Sequence, residues 1–243
     1  MAIWIMKGLM ILTLLIITAF LFYYPIEMKK LFKKEQEDFE NGNHIMPMLA
    51  NQELWDELTN AIKTLAPEIN VELNEGASHL DFEKLEDLIG AILPDDFKRL
   101  YALHNGQKNY NPPFYYTEEL LSIDRMIEEW TVWKQLLDDK HFQHPDGTPY
   151  TSEPHPHIKN NWWNPKWIPI TYDGNGNHLC LDLDPANGGF YGQIIRMWHD
   201  DSEPSVEAFS TEDLFNQYLK KLKSGDLYYS DDYGGIVEKW KSK

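Results

Sequence analysis

Residues 172–185, YDGNGNHLCLDLDP, concentrate side chains that could bind a cation. A calcium loop of the helix–loop–helix type needs oxygen ligands at positions 1, 3, 5 and 12 and a glycine at position 6. The four oxygen positions are filled by Asp173, Asn175, Asn177 and Asp184. Position 6, however, is His178, and the residues after it alternate between apolar and polar, which is typical of a half-buried strand rather than of the helix that the motif requires. We therefore favour a hairpin turn over a calcium site.

A phosphate-binding loop fits the same stretch less well. Gly174 and Gly176 are followed by Leu179 where a third glycine is needed, and no helix is predicted after them. The residue types instead predict a strand over Trp167–Tyr172, a turn at residues 173–177 and a returning strand over His178–Asp184.

The other residues that could do chemistry have simpler interpretations. His155-Pro-His157 offers two imidazoles to zinc, but no spacing fixes further ligands, so a histidine-rich surface loop is favoured. Cys180 lies in a predicted strand, which favours a buried and inert thiol. No serine sits in a nucleophile elbow, and no glycine loop ends in Lys-Ser or Lys-Thr. We therefore predict a protein that is not an enzyme, without catalytic, cofactor-binding or metal-binding residues.

Two kinds of residue are candidates for binding a partner. Trp162 and Trp163 lie in a loop beside the predicted strands, where tryptophan can anchor an interface or can cap the core. Alternation along the predicted strand places the side chains of Asp182 and Asp184 on one face, opposite the leucines. Such a face could meet a basic surface or be an ordinary solvated strand edge. The candidate acids are Asp173, Asp182, Asp184, Asp200 and Asp201.

The charge of the chain narrows the class of partner. The 243 residues carry a net charge of −17, whereas residues 1–34 carry five lysines and one glutamate, so the rest of the chain carries −21. Phosphate would be repelled by so acidic a protein, which argues against direct nucleic-acid binding. The acidity favours a basic partner or serves solubility. The single cysteine excludes an internal disulfide framework.

The amino end predicts a membrane anchor. Residues 8–26 contain no charge, and at 1.5 Å per residue this stretch reaches about 28 Å, close to the thickness of a hydrocarbon core. A cleaved signal peptide would need small residues where Phe22, Tyr23 and Tyr24 stand. Lysines 29, 30, 33 and 34 outnumber Lys7 before the span, so we expect a single-pass protein whose domain faces the cytoplasm.

Periodicity predicts an α+β fold, with a mainly antiparallel sheet and flanking helices, after the transmembrane helix. The predicted organisation is an anchor with a basic flank (residues 1–34), a linker (35–50), one domain (51–225) and an irregular tail (226–243). Within the domain we expect helices at Asn51–Ala66, on both sides of Pro94 up to Gly106, at Glu118–Asp138 and from a Ser210 cap to Lys223, and a third strand at Gln193–Trp198.

Three stretches carry a family likeness. LPDDFKRLYALHNG (93–106), the strand region of residues 162–201 and EAFSTEDLFNQYLKKL (207–222) resemble, in this order, segments of the SUKH superfamily, over about residues 50–223. That superfamily contains cell-wall assembly regulators of the Smi/Knr type and many bacterial immunity proteins. The resemblance implies binding without catalytic residues. We expect an immunity protein that captures a basic toxin domain at the membrane, or alternatively a regulator or scaffold of cell-wall or envelope assembly.

Overall fold

Residues 45–239, which a computed structural model describes, contain five helices. Their bounds are α1 (Ile45–Leu65), α2 (His79–Ile89), α3 (Asp95–Tyr101), α4 (Ile123–Asp138) and α5 (Thr211–Lys223). The first of them begins at Ile45, inside the stretch predicted as a linker, and buries the apolar stripe of Trp55, Leu58 and Ile62 as the periodicity indicates.

The break between α2 and α3 lies before Pro94, as predicted, and two further signals define it. A capping box joins Ser78 to Asp81 at the start of α2, and Gly90 ends that helix with a φ of 65°, in the left-handed region that glycine adopts easily. Pro94 then precedes the first residue of α3, as predicted. Together these residues fix a short, sharply turned loop at positions 90–94.

Helix α4 is shorter than predicted. The prediction of one helix over Glu118–Asp138 is wrong at its beginning, because Glu119 and Leu120 form the short strand β1 (Glu119–Leu120). Ser122 ends this strand region and caps α4, since its side chain accepts a hydrogen bond from the Arg125 amide.

The sheets are antiparallel, as predicted. The main sheet has the order β2-β4-β5-β6, and two-stranded ribbons pair β1 with β3 and β7 with β8. The bounds are β2 (Trp167–Pro169), β3 (Thr171–Tyr172), β4 (His178–Asp182), β5 (Gln193–Met197), β6 (Ser205–Ala208), β7 (Leu227–Ser230) and β8 (Gly235–Glu238). The mixed α+β class with flanking helices is therefore confirmed.

Strand β4 corrects the prediction of a half-buried strand. All five of its residues are buried, including His178 and Asp182, because it lies between β2 and β5 and side chains cover both of its faces. It ends at Asp182, so Asp184 is not part of the strand, and the prediction that these two aspartates share a solvated strand face is wrong.

The carboxyl-terminal tail is not irregular as predicted. Strands β7 and β8 form a hairpin, and Leu227 and Ile236 join the apolar core. Helix α5, by contrast, begins as predicted: Ser210 accepts a hydrogen bond from the Asp213 amide at 3.0 Å, while the Asp213 carboxylate reaches the Phe209 amide.

The predicted transmembrane stretch, residues 8–26, lies outside the described residues. Among the helices of residues 45–239, none combines the length and the apolar character needed to cross a bilayer.

Candidate functional site

The structure separates the seven predicted binding residues into three places. Strands β4 and β5 pair so that His178 faces Met197 at one end and Asp182 faces Gln193 at the other. We call the first the hairpin end, made of Tyr110, Tyr172 and residues 173–177 and 198–201, and the second the distal end, made of residues 182–193. Asp173, Asp200 and Asp201 lie at the hairpin end, Asp182 and Asp184 at the distal end, and Trp162 and Trp163 in the long loop beside α4.

The two tryptophans differ in exposure. Trp163 is buried and stacks on Trp133 of α4, with ring centroids 6.2 Å apart and planes 20° from parallel. Trp162 is half-buried and meets the ring of Tyr150 edge to face at 5.9 Å. Of the two, only Trp162 presents ring surface that a partner could contact.

The distal aspartates are engaged within the protein. Asp182 is fully buried, and its carboxylate accepts hydrogen bonds from the Gln193 side chain at 2.8 Å and from the Asp184 amide at 2.9 Å. Burial raises the pKa of Asp182 to about 6. For Asp184, burial opposes ionisation, but hydrogen bonds from Lys159 and Asn164 outweigh it and lower the pKa. A partner cannot reach Asp182 without opening the sheet.

His178 supports the hairpin end from inside. Its Nδ1–H donates to the Thr171 carbonyl at 2.7 Å, which leaves Nε2 to accept from the Trp133 indole at 3.2 Å. Burial lowers the pKa of His178 to about 4, so the ring is neutral at physiological pH. Both ring nitrogens are thus used to hold the hairpin and α4 together.

The hairpin turn is held by Asp173. Its carboxylate accepts the backbone amides of Asn175 and Asn177 at 2.7 and 3.0 Å, and the Asn177 side chain at 2.6 Å. Burial opposes the ionisation of Asp173, yet these bonds prevail and lower its pKa. Hydrogen bonds within the turn therefore occupy Asp173, the first ligand of the calcium interpretation. Asp184, its last ligand, lies beyond the other end of β4 and so cannot complete the same site. Within residues 45–239 no group of three or more His, Cys, Asp or Glu side chains could hold a metal ion.

Exposed aromatic rings flank this turn. Tyr110 is exposed and meets Tyr172 edge to face at 6.4 Å, and Trp198 follows β5 at the same end. The guanidinium of Arg196 lies 5.3 Å from the Trp198 ring. The His199 amide donates to the Asn177 side chain, which ties the segment after β5 to the turn.

Carboxylates surround these rings in excess over basic groups. Arg125 lies 6.0 Å from the Tyr172 ring and binds Glu128 at 2.6 Å, Glu129 at 2.7 Å and Glu119 at 3.4 Å. One guanidinium thus meets three carboxylates and leaves a local charge of −2.

Asp200 and Asp201 add two further exposed carboxylates at the hairpin end. The Asp200 carboxylate lies 3.6 Å from His199 Nδ1, and Asp201 accepts from the Glu203 amide. Aromatic faces beside such acids suit a partner that presents Lys or Arg side chains.

Sequence reasoning missed Tyr110, Trp198 and the Arg125 cluster. Tyr110 precedes two prolines in a loop, and its spacing from the hairpin gives no signal that the two meet. The three glutamates around Arg125 include an i+3 and an i+4 neighbour on α4, which helix spacing could have found, but Glu119 comes from β1.

The chain is similar to one protein family and to fungal proteins named as regulators. The model of the SMI1 / KNR4 family (SUKH-1) matches residues 76–217. The chain is 26% identical over 227 residues to the glucan synthesis regulatory protein of Neurospora crassa, covering 81% of this chain and 42% of that protein. It is 22% identical over 197 residues to the cell wall assembly regulator SMI1 of Saccharomyces cerevisiae, covering 68% and 39%.

A human relative matches a smaller part. The chain is 34% identical over 92 residues to F-box only protein 3 of Homo sapiens, which covers 34% of this chain and 20% of that protein. The chain spans about two fifths of the length of the fungal relatives.

Proposed function

Because the chain belongs to the SMI1 / KNR4 family (SUKH-1), we propose that it regulates cell-wall or envelope assembly by binding other proteins, without catalysing a reaction. The fungal relatives are named as regulators of glucan synthesis and of cell-wall assembly. Their names support the alternative interpretation of the sequence, the regulator or scaffold, in preference to the immunity protein.

The hairpin end is the observation that carries this proposal. Tyr110 and Trp198 expose ring surface. The Tyr110 carbonyl accepts a hydrogen bond from the Gln107 side chain at 3.0 Å, and the amide of His199, next to Trp198, donates to Asn177 of the turn. Rigid, exposed aromatic side chains bind partners at a low cost in conformational entropy. The carboxylates around them favour a partner with a basic surface.

Overall charge points to the same partner. The described residues contain 15 basic and 34 acidic side chains, a net charge of −19. Such a field speeds encounter with basic proteins and repels nucleic acid.

The side chains that could act as a nucleophile or as a general base support binding rather than catalysis. His178 and Cys180 are buried, and burial raises the pKa of the Cys180 thiol, which disfavours the nucleophilic thiolate. His178 is neutral with both nitrogens bonded, so it has no free position for proton transfer.

The proposal includes a location at the membrane. We propose that residues 8–26 anchor the protein and that its domain faces the cytoplasm, on the sequence pattern given above. Protease treatment of intact and permeabilised membranes tests it, since a cytoplasmic domain in closed cells resists cleavage until the membrane is opened.

A deletion in the native host tests the regulatory function. We expect altered wall composition and increased sensitivity to wall-perturbing agents in pure culture, restored by the wild-type gene. The double variant Tyr110→Ala, Trp198→Ala is expected to restore less, and Cys180→Ala to restore fully. Normal walls in pure culture, with death only beside kin that make a toxin, would instead establish the immunity function.

A further inference from the structure

At the distal end, large apolar side chains stand in solvent. Ile92 is 72% exposed, and Leu88 and Tyr191 are exposed as well. The Tyr191 hydroxyl donates to the Ile92 carbonyl at 2.6 Å, so the loop after α2 and the turn before β5 lie side by side. Leu88 lies in the last turn of α2, four residues before Ile92. We call these three residues the distal patch.

The backbone beneath the distal patch is fixed from several sides. Lys166 Nζ donates to the carbonyls of Ile89 and Gly90, and the Leu93 amide donates to the Glu86 carboxylate at 2.7 Å. Gly192 packs so closely on Pro94 that a Cβ there would lie 2.6 Å from its Cγ. The apolar side chains are therefore held out by rigid structure, which lowers the entropy cost of binding a partner.

The charges around the patch select one kind of occupant. Lys98 is turned to Glu86, with which it forms an ion pair at 2.6 Å, and Lys166 is committed to backbone carbonyls. Asp87 and Asp95, which flank the patch in sequence on α2 and α3, are exposed and make no ion pair or side-chain hydrogen bond with other described residues. Lys166 keeps its positive charge, since backbone carbonyls do not neutralise it, and the five charged side chains Glu86, Asp87, Asp95, Lys98 and Lys166 therefore sum to −1. The patch thus combines apolar contact with a net negative charge.

We infer that the distal patch is a second docking surface, which takes an apolar segment flanked by Lys or Arg side chains from a partner protein. It lies on other elements than the hairpin end, at the opposite end of β4 and β5, about 14 Å away along strands of about 3.4 Å per residue. Two separate surfaces allow the protein to hold two partners at once, as a scaffold must. The inference goes beyond the proposed function and does not depend on what binds the hairpin end.

A synthetic amphipathic helix of about 14 residues, with Leu at i, i+3, i+4 and i+7 and Lys elsewhere, is the probe. Titrated into the full-length chain, it is expected to shift the methyl resonances of Ile92 and Leu88. Ile92→Asp is expected to weaken its affinity about tenfold or more, the loss typical of a removed anchor residue. The same peptide with Glu in place of Lys is expected to bind at least about tenfold more weakly than the Lys form.

The matched control is Leu80→Asp. Leu80 is 74% exposed at the other end of α2, so this variant adds the same charge to an equally exposed apolar position. It is expected to leave the affinity unchanged within about twofold. Tyr191→Ser provides a second variant of the patch, and urea unfolding of each variant verifies that it is folded.

Several outcomes would overturn the inference. These are no binding, equal weakening by Leu80→Asp, equal binding of the Glu peptide, or resonance shifts at Tyr110 and Trp198 instead of the patch. Self-association that Ile92→Asp abolishes would make a second copy of the chain the occupant and would also overturn it. None of these results would alter the wall phenotype that tests the proposed function.

Discussion

The two ends of strands β4 and β5 are built in opposite ways. At the hairpin end a neutral imidazole, His178, is buried and carboxylates face the solvent. At the distal end a carboxylate, Asp182, is buried and apolar side chains face the solvent. The two ends, only a few residues apart, thus bury polar groups of opposite chemical character, a base at one end and an acid at the other.

The difference shows that hydrogen-bond partners decide which polar side chain can be buried. His178 has a carbonyl acceptor and an indole donor for its two nitrogens, and Asp182 has an amide and a glutamine for its two oxygens. Each group is satisfied where it lies, so burial does not leave an unpaired polar atom. The exposed side chains at the two ends, in contrast, are not needed to pair these buried groups, so they are available to contact a partner.

Removing Arg196 is expected to have the largest effect on the hairpin end. Its guanidinium lies 2.8 Å from the Glu118 carboxylate, and the two side chains are only 14% and 10% exposed. Arg196→Leu leaves the Glu118 charge buried without a counter-ion, so we expect the free energy of unfolding to fall by about 3 kcal/mol in urea titrations.

An exposed ion pair provides the control. Lys84→Ala removes the exposed pair with Asp124 and is expected to leave the midpoint of urea unfolding close to that of the wild type. If the double variant Arg196→Leu, Glu118→Leu were no more stable than Arg196→Leu alone, the loss would not come from the unpaired charge.

Opposite dependences on pH are expected from the two buried groups. The pKa of His178 falls from 6.5 to about 4 on folding, so its contribution to stability is present above pH 6.5 and is lost as the pH falls toward 4. The pKa of Asp182 rises from 3.8 to about 6, so its contribution is present below pH 3.8 and is lost as the pH rises through 6. Each amounts to about 3 kcal/mol.

Asp182→Asn separates the two contributions. The stability of the wild type minus that of the variant is expected to fall by about 2 kcal/mol between pH 4 and pH 6.5, measured by urea unfolding at each pH. Parallel profiles for the two proteins would show that Asp182 does not titrate in this range.

The sequence predicts the helices of this fold better than its strands. Helical periodicity depends on neighbours in the chain, so the α1 stripe, the Pro94 break and the Ser210 cap could all be predicted. Burial of a strand depends on what covers its second face. Alternation in β4 indicated one solvated face, but that face is covered, and the hairpin of β7 and β8 became visible only through its packing on the core.

The arrangement of the candidate site residues also depends on contacts that sequence periodicity does not show. Sequence reasoning placed five aspartates together because they lie on one hairpin and the strand after it. It could not see that the length of β4 separates Asp173, in the turn before the strand, from Asp182 at its end. Nor could it see that Trp163 stacks on Trp133 of a distant helix. Contacts between residues far apart in the chain, such as Tyr110 with Tyr172, leave no periodic signal.

Gly174 tests how closely Tyr110 packs on the hairpin turn. Its φ is +88°, and an added Cβ would lie 2.4 Å from the Tyr110 hydroxyl. Gly147 has a φ of +85° with no atom within 4 Å of that position. We expect Gly174→Ala to lower the free energy of unfolding by about 2 kcal/mol and Gly147→Ala by about 1 kcal/mol, because only the first must also displace Tyr110.

Adding Tyr110→Phe isolates that displacement. Without the hydroxyl, the nearest Tyr110 atom is Cζ, 3.7 Å from the added Cβ. The double variant Gly174→Ala, Tyr110→Phe is therefore expected to lose only as much stability as Gly147→Ala, measured by thermal unfolding. Without such recovery, Tyr110 would not be held against the turn, and the rigidity assigned to the hairpin end would be lower.

Neutralising the exposed acids is expected to have the smallest effect on stability and a specific effect on binding. Asp200 and Asp201 are exposed, and the double variant to Asn is expected to stay within about 0.5 kcal/mol of the wild type. Its affinity for oligolysine, measured by titration calorimetry at low salt, is expected to fall about threefold, because rim charges act mainly through long-range attraction.

The matched control is Asp231→Asn, Asp232→Asn, a second pair of adjacent exposed acids in the turn between β7 and β8, a hairpin that contains neither Tyr110 nor Trp198. Both double variants remove the same net charge, so equal losses would mean that the total charge attracts oligolysine and that the hairpin end has no special part in it. A larger loss for the first pair, disappearing at high salt where the charges are screened, would locate the attraction beside the exposed rings.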